Sequence, residues 1–333
     1  MRTIIALLLC AAMLAACAAP PQPAPQPEPT PPAPTPPVIV PYGPPAHPGH
    51  TDFLWEVFGG AGRVYLMGTM HVVRDGYNLT PALLEIFGEM DALALETDLL
   101  SFGDMMDLFY LSYFPEGETV LEHLSERGRS HLLNMIDAYG LDADYIITNR
   151  PFALGSQFLA AAMSGTDFSF TGVDLMLNVL AWERQMPIHA LEDYRDMLHN
   201  INALPADSQE RVLVLPILPP DQALAELERL YELFLSGDEA AMLAHIEYSM
   251  NQTMGGDGLP IIFEPVDQRY EYYMLEARDR VMARSIIAHL QSGYNVFVAA
   301  GLAHFLGERS IIYFLEEAGY YVSRVDLSGR IAA

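Results

Sequence analysis

Cysteine is almost missing from this sequence. Among 333 residues only Cys10 and Cys17 carry a thiol, and both precede the part of the chain that reads as folded. A disulfide framework, a thiolate metal site and a cysteine nucleophile are therefore excluded from the body of the protein. Positive charge is scarce too: 17 Lys and Arg stand against 43 Asp and Glu, for a net charge of −26. So acidic a chain repels phosphate backbones, which excludes nucleic acid as a partner and suits a soluble face or the attraction of cations. A nucleophile-elbow context is lacking around Ser156 and Ser164. What is present is a composition 51% hydrophobic and 10% aromatic, that of a globular body.

The N-terminal segment differs from the rest. Arg2 precedes an apolar stretch, residues 4–14, too short to span a bilayer. It ends in Leu14-Ala15-Ala16-Cys17, which looks like a bacterial lipobox, so residues 1–17 read as a lipoprotein signal with Cys17 as the lipidated residue. Acyl chains there would be the only membrane attachment. Ala18 rather than Asp after the cysteine favours the outer membrane, with the protein facing the periplasm. Residues 18–50 are rich in Pro and Ala and read as an extended tether. The folded domain is expected over residues 51–333, with a helical insertion at about 195–292.

Within that domain, short apolar runs end in chemistry. Residues 54–57 and 64–67 flank Gly59-Gly60-Ala61-Gly62, a hairpin signal. Gly68 then leads to His71. Thr80 and Pro81 open a helix over 81–90, and a buried strand over 92–95 ends at Glu96, giving strand, helix, strand, the signature of a parallel unit. Helical spacing dominates 98–164, with helices over 122–139 and 150–163. Another helix follows Gly172-Val173-Asp174, and a strand over 187–191 ends at Glu192. Asp221 reads as the N-cap of a helix to residue 235, and one long helix is expected over 267–292. A strand over 294–300 then meets Gly301 and His304, before a helix over 308–317 and a last strand over 320–325.

His71, Glu96, Glu192 and His304 thus each stand just past a strand-like run. In an open parallel sheet that edge is where ligands bind. Gly68-x-x-His71 echoes Gly301-x-x-His304, and Ala94-Leu95-Glu96 echoes Ala190-Leu191-Glu192, a weak internal repetition. Two imidazoles with one or two carboxylates suit a divalent ion, with Mn, Co, Zn and Fe all compatible. Three protein ligands and an open position would activate water, and the remaining carboxylate would serve as base. Gly68 and Gly301, without a Cβ, would let the chain turn sharply and a ligand approach the backbone.

These spaced pieces resemble the TraB/GumN (pheromone-shutdown) family, to which the Tiki proteases are related. The matching segments are Tyr65-Leu66-Met67-Gly68-Thr69-Met70-His71, Leu95-Glu96-Thr97-Asp98, Gly172-Val173-Asp174 with Pro187-Ile188 and Leu191-Glu192, and residues 297–304 with Gly307, Gly319 and Tyr320. The resemblance implies His71, His304 and Glu96 as metal ligands and Glu192 as a further acidic position. The Glu-Arg-Asn run usual in the family reads Ala277-Arg278-Asp279 here, so only Arg278 is retained, where it could orient a carboxylate or bind one from a substrate. By this resemblance the expected fold is α/β, a mixed, mostly parallel sheet with helices on its faces. The expected activity is that of a metal-dependent, peptidase-like hydrolase, taking a peptide or small-molecule ligand in the cell envelope. A haem-binding relative of the same fold implies the alternative, a binding lipoprotein without turnover.

Overall fold

The computed structural model describes residues 52–98, 102–250 and 253–327. The signal, Cys17 and the tether expected at the N-terminus lie outside the described residues. Six strands form the main sheet, in the order β6-β4-β7-β2-β1-β8. They are β1 (Leu54–Phe58), β2 (Val64–Thr69), β4 (Ala92–Leu95), β6 (Ile188–Ala190), β7 (Val296–Gly301) and β8 (Tyr321–Arg324). The strands β6, β4, β7 and β2 run parallel, and β1 joins β2 as the antiparallel hairpin and pairs antiparallel with β8. β3 (Val73–Arg74) and β5 (Phe168–Ser169) pair in a small second sheet. The fold is α/β with a mixed, mostly parallel sheet, as expected.

The central strands are buried because their sequences leave no polar face. β2, β4 and β7 carry near-continuous apolar runs, and every residue in them is buried. That pattern belongs to parallel strands covered by helices on both faces. β6 is half-buried to exposed because it forms the sheet edge.

Helices surround the sheet. They are α1 (Pro81–Gly88), α2 (Phe102–Ser112), α3 (Glu126–Ala138), α4 (Ala143–Ile146), α5 (Pro151–Met163), α6 (Val173–Glu183), α7 (Tyr194–Asn202), α8 (Ala206–Gln209), α9 (Pro220–Ser236), α10 (Glu239–Met250), α11 (Gln268–Met274), α12 (Glu276–Ser292) and α13 (Ile311–Glu317). Thr80 caps α1 as expected, its Oγ1 accepting from the Leu83 amide at 3.3 Å. The cap of α9 lies two residues earlier than its sequence suggests: Pro219 is the N-cap, Pro220 takes the first position and Asp221 lies in the first turn. No helix among the described residues is long and apolar enough to cross a membrane.

Two departures from the sequence pattern bear on the site. The expected long helix over 267–292 is broken at Leu275, whose φ of −123° and ψ of −81° separate α11 from α12. No proline or glycine marks this break, so helical spacing runs through it unchanged. The break starts α12 at Glu276 and puts Asp279 in its first turn. In addition, β2 extends through Gly68 to Thr69 and β7 extends to Gly301, so both glycines lie within strands rather than at turns.

Candidate functional site

β2 and β7 are in register, with Gly68 beside Ala300 and Thr69 beside Gly301. β4 lies against the other side of β7, with Leu95 beside Ala299, and β6 lies outside β4, with Leu95 beside Ala190. The four expected residues therefore leave four adjacent parallel strands at the same edge, in the order Glu192, Glu96, His304, His71. The ladder continues past the strand ends, since the Leu191 and Glu192 amides donate to the Leu95 and Glu96 carbonyls. Residues far apart in sequence become spatial neighbours because a parallel sheet brings all C-terminal strand ends to one side.

Arg278 joins the two carboxylates. Its Nε donates to Glu192 Oε1 at 2.7 Å, and its Nη2 donates to both Glu96 Oε2 and Glu192 Oε1. The guanidinium is buried, at 3% exposure, and so are both carboxylates. Of the two roles open to Arg278 from sequence, it performs the first, orienting carboxylates. Glu96 is held from a second direction by the Gly301 amide, which donates to Oε1 at 2.6 Å. Burial alone would raise the Glu96 carboxyl, but Arg278, the two histidines and the Gly301 amide outweigh it and bring it down to about 2. Glu96 is thus an anion at neutral pH.

Each histidine is oriented by an aspartate. His304 Nδ1 lies 2.5 Å from Asp279 Oδ1. His71 Nδ1 lies 3.0 Å from Asp174 Oδ2, close enough to pair by charge although the two are not aligned as a good hydrogen bond. Burial favours neutral forms here, pushing the Asp279 carboxyl up to about 6 against the pull of His304 and Arg278. At His71 burial works downward, yet Asp174 and Glu96 together raise the imidazole above its ordinary value. Nε2 of both rings is buried and has no hydrogen-bond partner among the described residues. His304 Nε2 stands 3.8 Å from Glu96 Oε2.

Asp174 and Asp279 fall in segments that enter the resemblance but take no site role from it, and the structure places them against His71 and His304. Each lies in the first turn of a helix whose N-terminus meets the sheet edge, α6 for Asp174 and α12 for Asp279. An aspartate two residues after a helix-opening glycine, as in Gly172-Val173-Asp174, is the available signal for the first. For the second the departure from the usual Glu-Arg-Asn run is the signal, since the substituted position is the one that holds His304.

Gly68 works differently from the expectation that it admits a ligand. A Cβ on Gly68 would come within 2.4 Å of Leu302 Cδ1, so its absence makes room for the turn that carries His304. Gly301 serves Glu96 through its amide and also lines the adjoining cleft. A third glycine matters more: a Cβ on Gly172 would lie 2.5 Å from the Cα, carbonyl carbon and oxygen of His71. There the Val173 amide donates to the Met70 carbonyl at 3.0 Å and ties α6 to the His71 turn. Gly172→Ala must push these backbones apart, at a cost of about 1–3 kcal/mol as for other overpacked sites. Chemical denaturation should show that loss, and a variant as stable as the parent would contradict the contact.

A cleft of about 430 Å³ opens beside this cluster, lined by Thr69, Met70, His71 and residues 301–303 below and by Leu230, Phe234, Met242 and Ile246 above. Of the cluster His71 alone lines the cleft, and an apolar cleft touching a buried, charged cluster on a sheet edge is the arrangement of a ligand or active site.

This places the chain among α/β proteins with a polar site at the C-terminal edge of a parallel sheet. A sequence model of the TraB/PrgY/gumN family matches residues 53–324, and the chain belongs to that family. No curated protein and no solved structure matches it.

Proposed function

We propose that this protein is a divalent-metal-dependent hydrolase that cuts peptides in the cell envelope, where lipid on Cys17 holds it. The observation that carries this reading is the pair of buried imidazoles. Each has Nδ1 facing an aspartate and Nε2 unpaired, and both pairs flank an ionised Glu96. A carboxylate at Nδ1 selects the tautomer whose Nε2 lone pair is free to bind a metal. Among the described residues no group of three or more His, Cys, Asp or Glu side chains is placed to hold a metal ion, so His71, His304 and Glu96 would have to draw together around one. The donor set nevertheless fits a divalent ion in its chemistry: two imidazole nitrogens, one carboxylate, and further carboxylates at Glu192 and Asp174.

His71, His304 and Glu96 would hold the ion, which would supply Lewis acidity and a more acidic bound water. The chain's own groups then divide the remaining work. Asp174 and Asp279 fix the imidazole planes and tautomers. Arg278 sets the Glu96 carboxylate and keeps Glu192 beside it. Glu96 sits too low to take up protons near neutrality, and Glu192, held beside it by Arg278, is the further carboxylate at the site. The low-dielectric cleft beside His71 keeps bulk water from the reacting bond.

Metal uptake tests the reading directly. The full-length protein, stripped with chelator and dialysed against Mn, Co, Zn or Fe(II) at micromolar concentration, should retain about one ion per chain by elemental analysis. The loaded form should cut quenched-fluorescent peptides that the stripped form leaves intact. Retention of none of the four ions would overturn the assignment.

A further inference from the structure

We infer that the cleft beside His71 is a side-chain pocket for one aliphatic residue of a bound peptide, set against the reacting bond by Thr69 and His71. That the ligand is a peptide rests on the hydrolase reading above; the pocket itself rests on independent observations.

The first is the lining. Leu230 and Phe234 come from α9, Met242 and Ile246 from α10, and Met70 and Leu302 from the two histidine-bearing turns. Among the described residues that form the wall, His71 alone is ionisable. A charged side chain entering it would lose its hydration without a partner, which costs several kcal/mol, whereas an aliphatic one gains from leaving water.

The second is the polar end. Thr69 Oγ1 and His71 Nε2 are buried, line the cleft and have no hydrogen-bond partner among the described residues. Buried polar atoms without partners are costly, so they mark places where a ligand completes the bonding. A peptide backbone lying across the mouth offers an amide or carbonyl group to Thr69 Oγ1, while His71 Nε2 stays free for the ion, and its side chain is directed between α9 and α10.

The third is that the roof is built in rather than loose. Leu227, Leu230, Tyr231 and Phe234 are buried in the same core as the sheet. Arg324 reaches from β8 to Glu239 at the start of α10 and donates to the Gly237 carbonyl at 3.3 Å, holding the turn between the two helices. Arg74 donates to Glu228 on α9 at 3.2 Å. The pocket is therefore preformed, and binding spends little on ordering it.

Methyl NMR of the full chain with ¹³C-labelled methionine reads occupancy without any turnover. Met70 and Met242 line the cleft, their signals assigned through Met70→Leu and Met242→Leu variants, while Met135 lies in a separate core cluster and reports on the fold. N-acetyl-leucine N-methylamide should shift the Met242 and Met70 signals saturably and leave Met135 unmoved. The glycine and aspartate analogues should bind at least ~10-fold more weakly, the ratio expected from burying one aliphatic side chain. Leu230→Trp, which fills the pocket, should abolish the shifts; Ile246→Phe gives the same test from α10 if Leu230→Trp fails to fold. Equal response to the glycine analogue, no saturable shift, or a stronger response to hexanoate than to the leucine compound would overturn the proposal, the last by making the occupant an acyl chain. Shifts without retention of any metal would sink the hydrolase reading and leave the pocket standing; metal retention without shifts would do the reverse.

Discussion

Arg278→Ala is expected to lower the unfolding free energy by about 3–5 kcal/mol at pH 7, the range for removing one partner of a buried ionic group. The guanidinium is shared by Glu96 and Glu192, and all three side chains are at most 7% exposed. Without the cation two carboxylates face each other in a low-dielectric site, each having lost its main hydrogen-bond donor. The pH dependence identifies this cause. In the parent, Glu96 has its carboxyl depressed to about 2, so its contribution is complete above the ordinary carboxylate pKa near 4.5 and is lost only as pH falls toward 2. In the variant the carboxylates gain by taking up protons, so the deficit seen at pH 7 should shrink as pH falls toward 4.5. Arg278→Lys should not restore the parent stability, because an ammonium cannot span both carboxylates as the planar fork does. Urea denaturation at both pH values checks this. A deficit below about 1 kcal/mol at pH 7, or one that does not change with pH, would contradict the account.

His71→Ala should abolish both metal uptake and peptide hydrolysis. It removes one of the two nitrogen donors and leaves Asp174 without its imidazole. Asp174→Asn separates orientation from ligation. The ring stays, but the acceptor that fixes its tautomer is weakened, and outer-shell changes of this kind cost about 10–100-fold in metal affinity. The expected order is parent, then Asp174→Asn, then His71→Ala, by metal affinity and by turnover alike. Equal metal content in His71→Ala and the parent would remove His71 from the ligand set. Loss of turnover in Asp174→Asn with metal affinity unchanged would move Asp174 from orienting the ring to the chemistry itself.

Much of this site is legible in the amino-acid sequence. Four strand-like runs carry the strands and their functional ends; in β2, β4 and β7 burial on both faces leaves an unbroken apolar run that composition reveals, while β6 at the sheet edge does not share it. The repeated Gly-x-x-His spacing further points to two equivalent strand ends. Gly68 misleads, since the group it accommodates is a protein atom distant in sequence, Leu302 Cδ1. The break at Leu275 is invisible for a related reason. No breaker residue encodes it, and it takes its place from the packing of α11 and α12.

Strand identity, the buried character of the sheet and the candidate histidines and glutamates follow from local pattern, since each depends on a few neighbouring residues and the period of a strand or helix. The insertion of β7 between β4 and β2 does not, nor do the pairing of each histidine with an aspartate at a helix start, the Arg278 bridge and the apolar roof from α9 and α10. These contacts join residues far apart in the chain: 25 positions separate Asp279 from His304, 182 separate Glu96 from Arg278, and 205 separate Glu96 from Gly301. Periodicity carries no information at that range; long-range packing of the helices on the sheet sets the partners.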